Sequence, residues 1–184
     1  RFQCCPPTCG AAAAILCTDE FAARHRLETD VRIRAQALVT DMQSSFSGSA
    51  IEAVGADMGR HASRQVYEAA GIGAQDVDVV ELHDCFSVNE VIAYEGIGLC
   101  VEGGATEFIE NGDNTYGGRV VTNPSGGLIS KGHPLGATGL AQCFELTSQL
   151  RGRSGSRQVA DAKIGLSHNV GLGGACVVTM FSSD

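Results

Sequence analysis

Gly132-His133-Pro134-Leu135-Gly136-Ala137-Thr138-Gly139, preceded by Asn123-Pro124-Ser125-Gly126-Gly127, is the stretch on which the reading of this chain turns. Behind it Leu140, Cys143, Phe144, Leu146 and Leu150 recur at helical spacing. A helix is therefore expected from near Thr138, with that apolar stripe as its buried face. A glycine-rich loop running into a helix lets backbone come close to a ligand, and the helix N-terminus offers unpaired N–H groups. His133 is the titratable side chain of the octet, and Pro134 restrains it. A donor aimed at a developing oxyanion needs that arrangement. The same residues also suit a tight turn with an ordinary hydrogen-bonded histidine, and taken alone they leave both readings open.

Two further stretches bear on the choice. Residues 76–82 hold Val77, Val79, Val80 and Leu82 in a compact β-branched run, the composition of a strand buried in a parallel sheet. His83-Asp84-Cys85-Phe86 stands at its carboxyl end, where ligand sites collect in α/β sheets. Ser87 is the expected cap of a helix reaching Leu99. Residues 163–167 and 176–181 read as a final pair of strands, joined by a loop over 168–174 that carries His168, Asn169 and Gly171. If these strands share a sheet, three histidine-bearing loops converge at one edge.

The remaining chain supplies the scaffold. Residues 10–16 (Gly-Ala-Ala-Ala-Ala-Ile-Leu) read as a buried strand entered through a glycine turn, 20–27 as a short helix and 31–40 as a strand. A polar loop over 41–49 leads to a helix over 50–70, broken near Gly55 or Gly59 and ended by Gly71 and Gly73. Residues 102–119 form a polar surface excursion, and 151–157 a flexible cationic connection.

With 184 residues, 43% of them hydrophobic and 18% charged, the chain has enough material for one domain with its own core. A net charge of −8 without a basic run argues against a nucleic-acid partner. No apolar run reaches membrane-spanning length, so no integral membrane association is expected. Eight cysteines occur without a CxxC pair. They are expected to be buried free thiols in a reducing compartment, and no metal site is expected. Cys100, Cys143 and Cys176 read as packing residues, and His25 and His61 as surface residues without a role. Arg119 and Lys131 flank the site loops, either as phosphate contacts or as solvated charges.

These stretches resemble the C-terminal half of a thiolase. The 123–139 run is similar to the thiolase Gly-His-Pro loop. His83-Asp84-Cys85-Phe86 is similar to the form found in sterol-carrier-protein-type thiolases, where others carry Asn-Glu-Ala-Phe. The His-Asn-x-Gly-x-Gly run at 168–173 matches the same subfamily. The resemblance implies an α/β fold, with a mixed, mainly parallel five-stranded sheet covered by helices on both faces. Such a domain is half of a five-layered αβαβα architecture. It further implies residues 1–29 as the end of a preceding N-terminal domain and 30–184 as the C-terminal domain.

The implied activity is CoA-dependent thiolysis of 3-oxoacyl-CoA, or the reverse Claisen condensation. Coenzyme A is then a substrate, and no cofactor is bound permanently. Carried over residue by residue, Cys85 is the general acid/base and His133 stabilises the enolate or tetrahedral oxyanion. His83 helps orient a water, and His168 and the backbone near Gly171 line the site. Asn123, Gly126, Gly127 and Phe86 are expected at the substrate, and residues 8–10 near the pantetheine. The Cys85 thiol is expected below its ordinary pKa of about 8.5, through a neighbouring histidine or helix N-terminus. The family's nucleophilic cysteine belongs to the N-terminal half and has no counterpart motif here. Partners implied are acyl-CoA or CoA, that N-terminal half, and a homodimer formed through it. An intracellular soluble location follows: peroxisomal or mitochondrial in a eukaryote, cytoplasmic in a bacterium. The alternative is a non-catalytic thiolase-fold module that binds acyl-CoA or a partner chain as a scaffold.

Overall fold

The computed structural model describes residues 2–171 and 174–183. Thr18 caps the first helix, α1 (Asp19–His25), through its hydroxyl, and Arg26 ends it in the left-handed region. The expected strand at 31–40 is β1 (Val31–Thr40). Two helices follow, α2 (Ala50–Ala53) and α3 (Ala56–Ala70), divided at Gly55, whose φ of 98° breaks the helical path. Next come β2 (Val79–Glu81), α4 (Ser87–Gly96), α5 (Ala105–Glu110), β3 (Val121–Thr122) and α6 (Gly127–Lys131). The chain closes with α7 (Thr138–Leu150), β4 (Ile164–Gly171) and β5 (Ala175–Ser183).

The five strands make one mixed sheet in the order β1-β5-β4-β2-β3. β2 pairs in parallel with both β3 and β4, whereas β5 pairs antiparallel with β1 and β4. β1 therefore runs the same way as β2, β3 and β4, and β5 alone opposes them, so the sheet is mixed and mainly parallel, as expected.

Strand alternation sorts the core into two layers. Val80, Leu82, Leu166, Val178 and Met180 face α3 and α4, where Met58, Ala62, Val66, Tyr94 and Ile97 meet them. Val79, Val121 and Phe181 point the other way, against Leu146 and Leu150 of α7. Helices thus cover both faces, as expected.

Several expectations need correction. Residues 10–16 form no strand and pair with none of the described strands, and Ile15 and Leu16 are 93% and 76% exposed. The buried face of α7 is largely polar: Gln142, Glu145 and Gln149 are enclosed, while Leu140 and Phe144 of the expected core stripe are exposed. Phe86, not Ser87, is the N-cap of α4. The 102–119 excursion includes α5, whose Phe108 is buried. The 151–157 connection is tied down, since Arg151 pairs with Asp30, Arg153 with Glu28 and Arg157 with Glu145. All eight cysteines are free, but only Cys176 is fully buried. Among the described residues no helix is long and apolar enough to cross a membrane.

Candidate active site

The site is built on the carboxyl end of β2. The Leu82 N–H donates to Asn123 Oδ1 at 2.8 Å, and the Asn123 N–H donates to the Val80 carbonyl at 2.7 Å. Asn123 holds a left-handed φ of 48°, which asparagine tolerates better than most residues. Its side chain therefore braces the strand end, and its Nδ2 is buried without a partner among the described residues.

Two buried carboxylates fix the loops on either side. Glu81, fully enclosed, accepts from the Ser125 N–H at 3.0 Å and the Ser125 hydroxyl at 2.6 Å, and pairs with Lys131 Nζ at 3.2 Å. Burial pushes its pKa up, opposed by Lys131 and the Ser125 bonds. Asp84 accepts from the N–H groups of Leu128 at 2.6 Å and Ile129 at 3.3 Å, in the first turn of α6. Gly127 lets the carboxylate in: its φ is 61°, and a Cβ there would lie 2.2 Å from Asp84 Oδ2. Lys131 thus pairs with a buried carboxylate while remaining partly in solvent. Arg119 is also structural, donating to the Leu99 carbonyl with its guanidinium 5.5 Å above the Phe108 ring.

Three histidines gather behind these loops. The His83 and His133 rings meet edge to face with centroids 4.9 Å apart. His83 is buried, and desolvation first, then the neighbouring His168 and His133, lower its pKa to about 3. His133 is half-buried, and desolvation lowers its pKa against the opposing charge of Asp84. Its Nδ1 lies 2.7 Å from Thr138 Oγ1, which is also 3.2 Å from the Pro134 carbonyl. The single hydroxyl hydrogen has two takers; when it goes to Nδ1, Nε2 carries the ring proton and can donate.

His168 lies within β4, not in the loop expected for it. It is buried, its pKa is lowered by desolvation to about 4, and its carbonyl accepts from Gln142 Nε2 at 3.2 Å. His83, Asn89 and His168 share a cavity of about 20 Å³ between α3 and α4, and neither histidine Nδ1 has a partner among the described residues. That size and polar lining suit one water.

Cys85, half-buried, links β2 to α4, and Asn89 Nδ2 lies 3.5 Å from its sulfur. The expected lowering of its pKa does not occur. Burial raises it, Cys5 and Asp84 raise it further, and the Phe86 N–H offsets only part. His83 is neutral near pH 7 and supplies no positive charge to favour a thiolate. The thiol keeps its proton.

The N-terminal segment joins the loops. The Cys5 N–H donates to the Cys85 carbonyl at 2.9 Å, Cys4 bridges Phe86, and Pro7 bridges His133. Positions 5 and 7 are two residues apart, about 7 Å along an extended segment, so Cys85 and His133 sit on one rim. Thr8 and Gly10 pack against Gly132 and Pro134 of the same loop.

The structure therefore brings Cys85, His83 and His133 together and puts His168 behind them. Gly171 ends β4 and is exposed; Leu172 and Gly173 of the expected loop lie outside the described residues. Phe86 is 48% exposed beside Cys85. Gly126 is an exposed N-cap of α6, whereas Gly127 is buried under Asp84. Sequence reasoning gave no role to Glu81, Asp84, Thr138, Asn89 or the Cys5 backbone, although Asp84 and Thr138 lie inside the motifs it singled out.

A family model described as thiolase C-terminal domain-like matches residues 41–183. Sterol carrier protein 2 of Bos taurus is 60% identical over 181 residues, covering 97% of this chain and 33% of the relative. Acetyl-CoA acetyltransferase of Methanothermobacter thermautotrophicus is 41% identical over 181 residues, covering 98% of this chain and 46% of the relative. Among solved structures, the Ltp2-ChsH2(DUF35) aldolase superposes with a TM-score of 0.72 at 24% identity, over 84% of this chain and 40% of that one. It bears on the fold alone. The chain spans about one third of the length of the sterol carrier protein 2 relative.

Proposed function

This chain belongs to the thiolase C-terminal domain-like family, and we propose on that basis that it supplies the acid/base and oxyanion half of an acyl-CoA thiolase site. The nucleophilic cysteine comes from an N-terminal half. That half attacks the 3-oxo carbon of a 3-oxoacyl-CoA, the C2–C3 bond breaks, and the acyl group stays on its sulfur as a thioester. The bond's electron pair leaves with acetyl-CoA as an enolate. Cys85 gives the enolate carbon its proton, and His133 Nε2–H holds the enolate oxygen meanwhile. Cys85 then recovers a proton from the incoming coenzyme A thiol, whose sulfur takes the acyl group.

One observation carries this reading: Cys85 and His133 flank the same short segment through its fifth and seventh residues, with the His83 ring against His133. The raised pKa of Cys85 supports a proton donor more than a nucleophile. Exposed Leu140 and Phe144 on α7, with Ile15 and Leu16, support a large surface that the N-terminal half covers. A homodimer then forms through the assembled pair of halves.

The test is thiolysis of acetoacetyl-CoA by the complete protein. Cys85→Ala should lower kcat by about a hundredfold or more, with thermal stability kept. Unchanged turnover would remove Cys85 from its role. Acyl-CoA binding by a parent protein without any turnover would favour the scaffold reading instead.

A further inference from the structure

The N-terminal segment and the Cys85 loop form a short antiparallel ladder. Cys4 bridges Phe86, the Cys5 N–H donates to the Cys85 carbonyl at 2.9 Å, and the Ser87 N–H donates to the Gln3 carbonyl at 3.1 Å. That register puts residues 5 and 85 directly opposite each other. Opposed residues in such a ladder have Cα atoms about 5.5 Å apart and side chains on the same face. A disulfide spans Cα separations of about 4.4–6.8 Å. Cys5 and Cys85 are both free and both half-buried. Cys4 alternates to the other face of the ladder and is exposed, as are Cys9 and Cys17.

We propose that Cys5 and Cys85 are a redox pair, joined by a small-molecule disulfide into an intramolecular disulfide that takes the Cys85 thiol out of use. The inference rests on the reading of Cys85 as the proton donor. One thiolate of the pair attacks the small-molecule disulfide, releasing one thiol and leaving a mixed disulfide on the protein. The second thiolate attacks that protein sulfur, expelling the other thiol and forming the Cys5–Cys85 bond. The two protein thiols are oxidised by two electrons, the small-molecule disulfide is reduced to two thiols, and the two protein protons end on those products. Burial holds both thiols above their ordinary pKa, so the reaction quickens as pH rises past the range in which an exposed thiol has ionised.

The experiment treats the complete protein with oxidised glutathione, then follows turnover and maps disulfides by tandem mass spectrometry without reduction. The expected result is a Cys5–Cys85 link and a loss of turnover of about a hundredfold that dithiothreitol reverses. Cys5→Ser should form no such link and stop at a glutathione adduct on Cys85. A glutathione adduct that persists in the parent protein, a Cys4–Cys85 link, or an unmodified Cys85 would each overturn the proposal. A Cys5–Cys85 link with turnover intact would uphold the thiol pair and overturn the proton-donor reading.

Discussion

Asp84 and Leu128 lie 44 residues apart in sequence, yet the Asp84 carboxylate accepts the Leu128 N–H at 2.6 Å. That bond holds the loop carrying Cys85 to the segment leading to His133. Asp84→Ala leaves the first-turn N–H groups of α6 buried without an acceptor and should cost about 2 kcal/mol. Asp84→Asn keeps the shape and one acceptor and should cost about half as much. Thermal unfolding of both variants checks the order. In the proposed enzyme, turnover of Asp84→Ala should also fall where the variant is still folded.

Glu81 has no exposure, and its cation is Lys131 at 3.2 Å. Lys131→Met strands that carboxylate and should cost about 2 kcal/mol at neutral pH, less than a fully enclosed pair loses because Lys131 is partly in solvent. Burial already holds the folded pKa of Glu81 above its ordinary value, and losing Lys131 raises it further. A raised carboxyl favours the fold at low pH and loses that contribution as pH rises through the folded value. The deficit of Lys131→Met should therefore widen from pH 4 to pH 7 in urea unfolding. A deficit independent of pH would contradict the pairing.

His83 and His168 have the opposite dependence. Their folded pKa values of about 3 and about 4 lie below the ordinary 6.5. Between those limits the unfolded chain binds more protons, so stability is full above about pH 6.5 and falls on acidification, by up to about 1.4 kcal/mol per pH unit for each histidine. His168→Gln should lose less stability than the parent between pH 7 and pH 5. Parallel losses in the two proteins would contradict its burial as a neutral ring.

How far the sequence carries can be judged from these same residues. β1 at 31–40, the break at Gly55 and the convergence of the 83–86 and 132–134 loops were readable, because periodicity, glycine and strand-end position are local signals. The buried polar face of α7 was not. Gln142 is held by His168 and Asn169, and Gln149 by Glu145 and Arg157; of these pairings only Glu145–Gln149, four residues apart on α7, has helical spacing. Asp84 and Glu81 escaped for the same reason, since their partners lie over forty residues away. Residues 10–16 have the composition of a strand, but a strand also requires a neighbour to pair with.

Leu140 and Phe144 stand on the outward face of α7 at 40% and 66% exposure. Phe144→Glu should leave the folding of this domain within about 0.5 kcal/mol of the parent, since most of the side chain already lies in solvent. It should weaken association with the proposed N-terminal half by tenfold or more, as a buried unpaired charge would. Limited proteolysis of the complete protein, which reads undocking of the two halves, with a thermal melt alongside, separates the two effects.

The proton-donor role of Cys85 can be read in isolation from carbon–carbon bond breaking. Acetyl-CoA is incubated with the complete protein in deuterated buffer, and deuterium entering its methyl group is followed by NMR. The parent protein should exchange those protons, and Cys85→Ala and His133→Asn should each slow the exchange by about a hundredfold. Exchange at the parent rate in Cys85→Ala would contradict the account.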